Sequence, residues 1–136
     1  MTRPILLAYQ TLSGLSDSIT GAMLVIAPAF TLSLMHLQAP EDALPYLSFI
    51  GAFVLAVGLS CLYGAIIMAF HWSEPKLQVV WLLTAMFRAS VAILVIAQIL
   101  QHTLEAGWIT VAVSDGACVL IQAIGLRKGW LADAAR

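Results

Sequence analysis

Three ionisable side chains stand inside long apolar stretches of this chain: Asp17, Arg88 and Asp115. A single charge at the middle of a bilayer costs at least about 2.5–3.5 kcal/mol. Three of them are therefore expected to face inward and meet. Arginine suits the central place, because its planar fork can bond two carboxylates at once and does not lose its proton. One guanidinium against two carboxylates leaves one negative charge in excess. Burial and like charge both disfavour ionising the second carboxyl, so one of the pair is expected to hold a proton that it can exchange. The surrounding residues extend a polar stripe. Asp115, Cys118, Gln122 and Gly125 recur at helical spacing with Ser114 adjacent, and Trp81, Thr84, Arg88, Ala92 and Val95 share a face. Ser13, Ser16 and Thr20 lie on or beside the Asp17 face. The candidate ligand or proton site is thus Asp17, Arg88, Asp115, Gln122, Ser114, Thr84 and Cys118. A buried ion-pair network that only fixes helix register, and a contact with a partner subunit, are the competing readings.

Other chemistry is sparse. There is no nucleophile elbow, phosphate loop or zinc motif, and no Lys within a span to form a Schiff base in the bilayer. His36 and His102 fall at one predicted membrane boundary and His71 at the other, without close metal-ligand spacing, so no metal is expected. Cys61 and Cys118 show no CxxC spacing and read as small buried residues. No catalytic residue is assigned.

The elements that must position these side chains follow from composition. Of 136 residues, 62% are hydrophobic and 10% charged, against about 45–50% and about 25% in soluble domains. No charge falls in Ser18–Pro40 or Ala43–Ser73, so no polar helix face is available there. This excludes a soluble enzyme, a disordered chain and a disulfide scaffold. The net charge of −1, with no basic run, excludes nucleic acid as a partner. The sequence predicts a single all-α integral membrane domain over 1–136. It is expected to be a four-transmembrane-helix antiparallel bundle, with helices over about 5–37, 46–70, 77–100 and 108–126. Pro28 should kink or end the first. The tail Arg127–Arg136 reads as short and weakly amphipathic.

Depth unites the three charges. Arg88 lies 11 residues beyond Leu77, and Asp115 lies 11 residues before Leu126, each roughly 16–17 Å from the same edge. Asp17 reaches that layer if the first helix enters at Ile5, and sits only about 8 Å deep if it enters near Leu12. With four crossings, Arg3, Lys76, Arg127, Lys128 and Arg136 share one side, opposite Glu41, Asp42 and Glu105. The positive-inside rule then places both termini in the cytoplasm, with the chain integral to the cytoplasmic (inner) membrane. Trp72 and Trp130 fall near the inner interface, Tyr46 and Trp108 near the outer one. Two small-residue ladders are expected to form bundle contacts, Ala52–Ala56–Ser60–Gly64 and Ser13–Asp17–Gly21 with Gly14, Ser18 and Ala22 beside it. Phe49, Phe53, Phe70, Trp81 and Phe87 read as packing residues.

The stretches Gly51–Gly58, Leu83–Arg88 and Gly125–Leu131 give the chain a resemblance to the DoxX-like group of small four-helix bacterial membrane proteins. The resemblance covers most of the chain. It implies a redox-linked role, since named members are linked to quinone-coupled thiosulfate oxidation, and it carries over no catalytic residue. The small multidrug-transporter family also has four helices but typically a lone acidic residue in the first, from which Arg88 departs. The leading expectation is a midplane site that receives a quinone-like or small anionic ligand at Arg88, with quinone as the candidate cofactor. The alternatives are a proton-coupled small-molecule transporter and a non-catalytic accessory subunit. Expected partners are the lipid bilayer and either a further copy of the chain or a larger membrane complex.

Overall fold

A computed structural model describes residues 2–135; Arg136, one of the basic residues counted above, lies outside the described residues. The described chain is all-helical. In order it forms α1 (Arg3–Ile26), α2 (Pro28–Leu34), α3 (Leu44–Phe70), α4 (Glu74–Leu100), α5 (Ile109–Arg127) and α6 (Trp130–Asp133). Single 3₁₀ turns at Glu41–Ala43 and Ala106–Trp108 lead into α3 and α5.

Three helices, α3, α4 and α5, are long and apolar enough to cross a membrane. The first predicted helix, over 5–37, is divided at Pro28, as expected. α1 ends at Ile26, Ala27 leaves helical geometry at φ −144° and ψ 67°, and Pro28 opens α2. Proline cannot donate the hydrogen bond that would continue α1, but it suits a first helical turn. The length of α1 is ample, since 24 residues span about 36 Å. Its polarity sets it apart from the other three. Gln10, Ser13, Asp17 and Ser18 lie on its inward side, whereas Ile5, Leu12, Leu15, Ile19 and Ile26 point out.

The bundle is two close pairs, α1 on α3 and α4 on α5, joined by α3 on α4. Glycine sets the first pairing. Gly14 abuts Leu62, Gly58 abuts Ser18, and Gly21 lies against Leu55 and Gly51. A Cβ added at Gly21 would come 2.7 Å from the Leu55 Cα and 2.8 Å from the Gly51 carbonyl oxygen. Gly116 has nothing within 4 Å of such an atom. Gly21→Ala is therefore expected to lower stability by about 1–3 kcal/mol through overpacking, while Gly116→Ala gains up to about 1 kcal/mol in helix propensity. Thermal unfolding of the two variants in mild detergent checks both signs.

The expected ladder on α3 is corrected by this register. Ala52, Ala56 and Ser60 are exposed and only Gly64 is buried; the packed face runs Leu47, Gly51, Gly58, Cys61, Gly64 and Met68. The phenylalanines are corrected as well. Trp81 is fully buried, but Phe49, Phe53, Phe70 and Phe87 face outward. An apolar side chain loses nothing by facing lipid, so hydrophobicity alone does not mark the interior of such a bundle.

Apolar clusters close the two ends. At the end holding the termini, Leu6, Ile67, Met68, Leu77, Trp81 and Leu131 pack together. Arg3 donates from Nε and Nη2 to the Met68 carbonyl oxygen at 3.1 and 2.5 Å, with its guanidinium 5.1 Å from the Trp72 ring centre. It thereby satisfies carbonyl acceptors that the last turn of α3 leaves open. The tail is not loose. Gly129 turns the chain at φ +68°, a conformation that favours glycine, and α6 returns Leu131 to this core. At the opposite end Leu32, Leu37 and Leu47 form a smaller cluster beside Trp108.

Candidate functional site

Arg88 stands near the middle of α4, 14 residues from Glu74 and 12 from Leu100. The buried face of α4 runs Leu77, Trp81, Thr84, Arg88, Ala92 and Val95. Successive steps of three or four residues keep these side chains on one stripe. The guanidinium is 4% exposed. Its Nη1 donates to Asp115 Oδ1 on α5 at 2.7 Å. Its Nη2 donates to Ser13 Oγ on α1 at 2.7 Å and to Asp17 Oδ2 on the same helix. Both terminal nitrogens are thus engaged by three oxygens from two neighbouring helices. The three charged side chains thus meet at one level of the bundle.

The carboxylates are not sealed as the guanidinium is. Asp17 and Asp115 keep 19% and 16% of their side-chain surface open. The second oxygen of each takes no hydrogen bond from the described residues, and neither is among the fully buried atoms. Arg88 Nε, by contrast, is buried without a hydrogen-bond partner.

A polar column continues from the cluster toward the chain termini. Ser13 Oγ lies 4.0 Å from the Cys118 Sγ, and the Tyr9 hydroxyl donates to the Cys118 carbonyl oxygen at 3.4 Å. Gln122 Nε2 donates to Thr84 Oγ1 at 2.9 Å, and that hydroxyl donates onward to the Val80 carbonyl oxygen at 2.7 Å. Trp81 Nε1 donates to Gln10 Oε1 at 2.9 Å, and Gln10 Nε2 donates to the Cys61 carbonyl oxygen at 3.1 Å. Gln10, Trp81 and Gln122 are each 0% exposed. Paired groups of this kind tie α1, α3, α4 and α5 to one register, because a slip of any helix would strand a buried polar atom at about 1–3 kcal/mol.

Of the residues expected at the site, Asp17, Arg88 and Asp115 meet directly. Thr84 and Gln122 pair with each other one level away, and Cys118 touches the column through its carbonyl and thiol. Ser114 does not join them. It is exposed, and its hydroxyl donates to the Val111 carbonyl oxygen at 3.0 Å, on the α5 face beside Asp115. Ser16 also points outward. Tyr9, Gln10 and the indole of Trp81 were not anticipated as polar partners. The signal for Gln10 was present: Gln10, Ser13 and Asp17 repeat at three and four residues on one helix, a polar stripe that needs an internal partner.

Among the described residues, no group of three or more His, Cys, Asp and Glu side chains is placed to hold a metal ion. Comparisons with protein-family models, with curated proteins and with solved structures find no match to this chain.

Proposed function

We propose that the protein crosses the cytoplasmic membrane four times with both termini inside, and that the Arg88 cluster is the proton-exchanging centre of a small-molecule transporter. The fourth crossing is α1. Its outward face is mostly aliphatic, with Ile5, Leu12, Leu15, Ile19 and Ile26, and its Gln10, Ser13 and Asp17 bond Trp81, Cys61 and Arg88 within the bundle. The orientation follows from charge. Arg3, Lys76, Arg127 and Lys128 belong to the end closed by Leu6, Leu77 and Leu131, whereas Glu41, Asp42 and Glu105 belong to the other, and basic residues stay on the cytoplasmic side.

The observation that carries the proton reading is the second carboxylate. A clamp that only joins helices is complete when one guanidinium meets one carboxylate. Here a second carboxylate joins the same guanidinium, and each carboxylate leaves one oxygen free at a partly open surface. The other titratable side chains nearest the cluster, Tyr9, Cys61 and Cys118, are of types uncharged at neutrality. A proton is then the simplest species that balances the excess charge, and a carboxyl oxygen left without a partner is a place where it can come and go. A quinone or an anion would need donors. Three of the four terminal N–H groups of Arg88 are already engaged, and Nε is buried, so the cluster supports those ligands less well.

Infrared difference spectroscopy of the protein in nanodiscs tests this without any ligand. As pH is cycled, a carbonyl band of a protonated carboxyl is expected to appear and vanish, and to be lost in both Asp17→Asn and Asp115→Asn. A folded protein with no such band at any pH would overturn the reading.

A further inference from the structure

We infer that the groove between α1–α2 and the start of α5 admits an amphipathic organic ammonium ion, whose charge is received by the free oxygens of Asp17 and Asp115. The inference rests on the proton-site reading and names the substrate class of that same centre. The groove has a volume of about 330 Å³. It opens at the end opposite the termini, where the Pro28 break turns α2 so that Thr31 and Met35 form one wall with Thr20 and Met23 of α1. Thr110, Val111 and Ser114 of α5 form the other. Thr20 lies three residues beyond Asp17, and Val111 four residues before Asp115. On α1 the lining therefore ends about one helical turn, roughly 5 Å, short of Asp17, and on α5 it reaches Ser114, the residue next to Asp115.

The chemistry of the lining selects the ligand. Thr31 Oγ1 donates its proton to the Ala27 carbonyl oxygen at 2.9 Å, Thr110 Oγ1 to Gly107 at 3.1 Å and Ser114 Oγ to Val111 at 3.0 Å. With those protons committed to the main chain, these three hydroxyls turn only lone pairs outward; Thr20 Oγ1, the fourth hydroxyl of the lining, is the one side chain there left free to donate. Met23 and Met35 offer thioether sulfurs, which accept and never donate. No Lys, Arg or His lines the groove. Just beyond its inner end lie the carboxylates of Asp17 and Asp115, whose excess negative charge over Arg88 is balanced by the exchangeable proton. Such a wall is rich in acceptors and poor in donors. Apart from Thr20, an anion or a carbonyl ligand would meet only lone pairs, whereas an ammonium group supplies donors and a positive charge together. Leu34 and Val111 give its apolar portion a surface to lie on. The exchange balances simply: the ammonium ion takes the place of the proton held by the carboxylate pair, and that proton leaves.

Three probes of equal chain length test this on the full-length protein in zwitterionic nanodiscs: octylammonium, octanol and octanoate. Octylammonium is expected to bind saturably, at least 10-fold more tightly than either of the others. Ser114→Leu and Thr110→Leu, two exposed positions that would fill the groove, are each expected to weaken it at least 10-fold while thermal unfolding is unchanged. Equal binding of the three probes, or octylammonium binding insensitive to both substitutions, would overturn the inference. So would the absence of saturable binding. The infrared titration needs no ligand, so an exchangeable carboxyl proton without ammonium selectivity would sink this inference alone, and the loss of that proton would sink the underlying reading.

Discussion

Replacing Arg88 by methionine is expected to cost about 3–5 kcal/mol of stability. The side chains are close in length, so packing changes little. What changes is that Asp17 and Asp115 are left side by side in a low-dielectric interior with no counter-charge, and removing one partner of a buried ion pair is far more damaging than replacing the whole group. Ser13 also loses its donor at 2.7 Å. The triple variant Arg88→Met, Asp17→Leu, Asp115→Leu separates charge from shape. It is expected to recover most of the lost stability, because an apolar cluster of similar volume can match a buried ion network. Thermal unfolding in one detergent compares the wild type with the single and triple variants. A single variant as stable as the wild type would mean that the guanidinium does not neutralise these carboxylates.

Neutralising one carboxylate is expected to do the reverse, preserving the fold and abolishing the exchange. Asp115→Asn leaves Arg88 bonded to Asp17 and Ser13, so the cluster becomes neutral and keeps a hydrogen-bonding side chain in the vacated place. Stability is expected to stay within about 1 kcal/mol, the usual worth of one hydrogen bond. Octylammonium binding is expected to fall about 100-fold. One unit charge removed at about 6 Å with an effective dielectric near 20 is worth roughly 2.8 kcal/mol, which is about two orders of magnitude in affinity. Asp17→Asn should act in the same direction. The pattern distinguishes a working site from a clamp, because a clamp would register each change in stability first.

Much of the site was legible because charge in an apolar helix is a scarce signal. The buried face of α4 is legible from Trp81 to Val95, since helical periodicity fixes what shares the side of Arg88, and the structure extends it to Leu77. Antiparallel crossings then made the depths of Arg88 and Asp115 comparable from sequence numbers alone. Legibility failed where residue type carries no direction. α3 is apolar all round, so neither Ala52, Ala56 and Ser60 nor the phenylalanines could reveal which face meets α1. That choice belongs to Gly51 and Gly58, which lie against Gly21 and Ser18 of the partner helix. Gln10 was passed over although it lies in register with Asp17, because it pairs with an indole 71 residues away. The return of α6 depends on Leu131 finding the pocket beside Leu6 and Leu77, a tertiary contact that a short tail does not announce. His36 and His102 were placed at a boundary, where each adopts positive φ, 56° and 57°, just beyond a helix end. Their role there is to end α2 and α4, a turn geometry that more commonly falls to glycine.

The most direct test of the central claim is the number of protons released when an ammonium ion binds. Octylammonium is fully charged at pH 7, like a lysine side chain, so any proton that leaves must come from the protein. Calorimetric titration in two buffers of different ionisation enthalpy yields that number as the difference in heat per mole bound divided by the difference in ionisation enthalpy. About one proton per ligand for the wild type, falling to none for Asp115→Asn, is the result expected if the carboxylate pair trades its proton for the ligand's charge. Binding with no proton released by the wild type would contradict it.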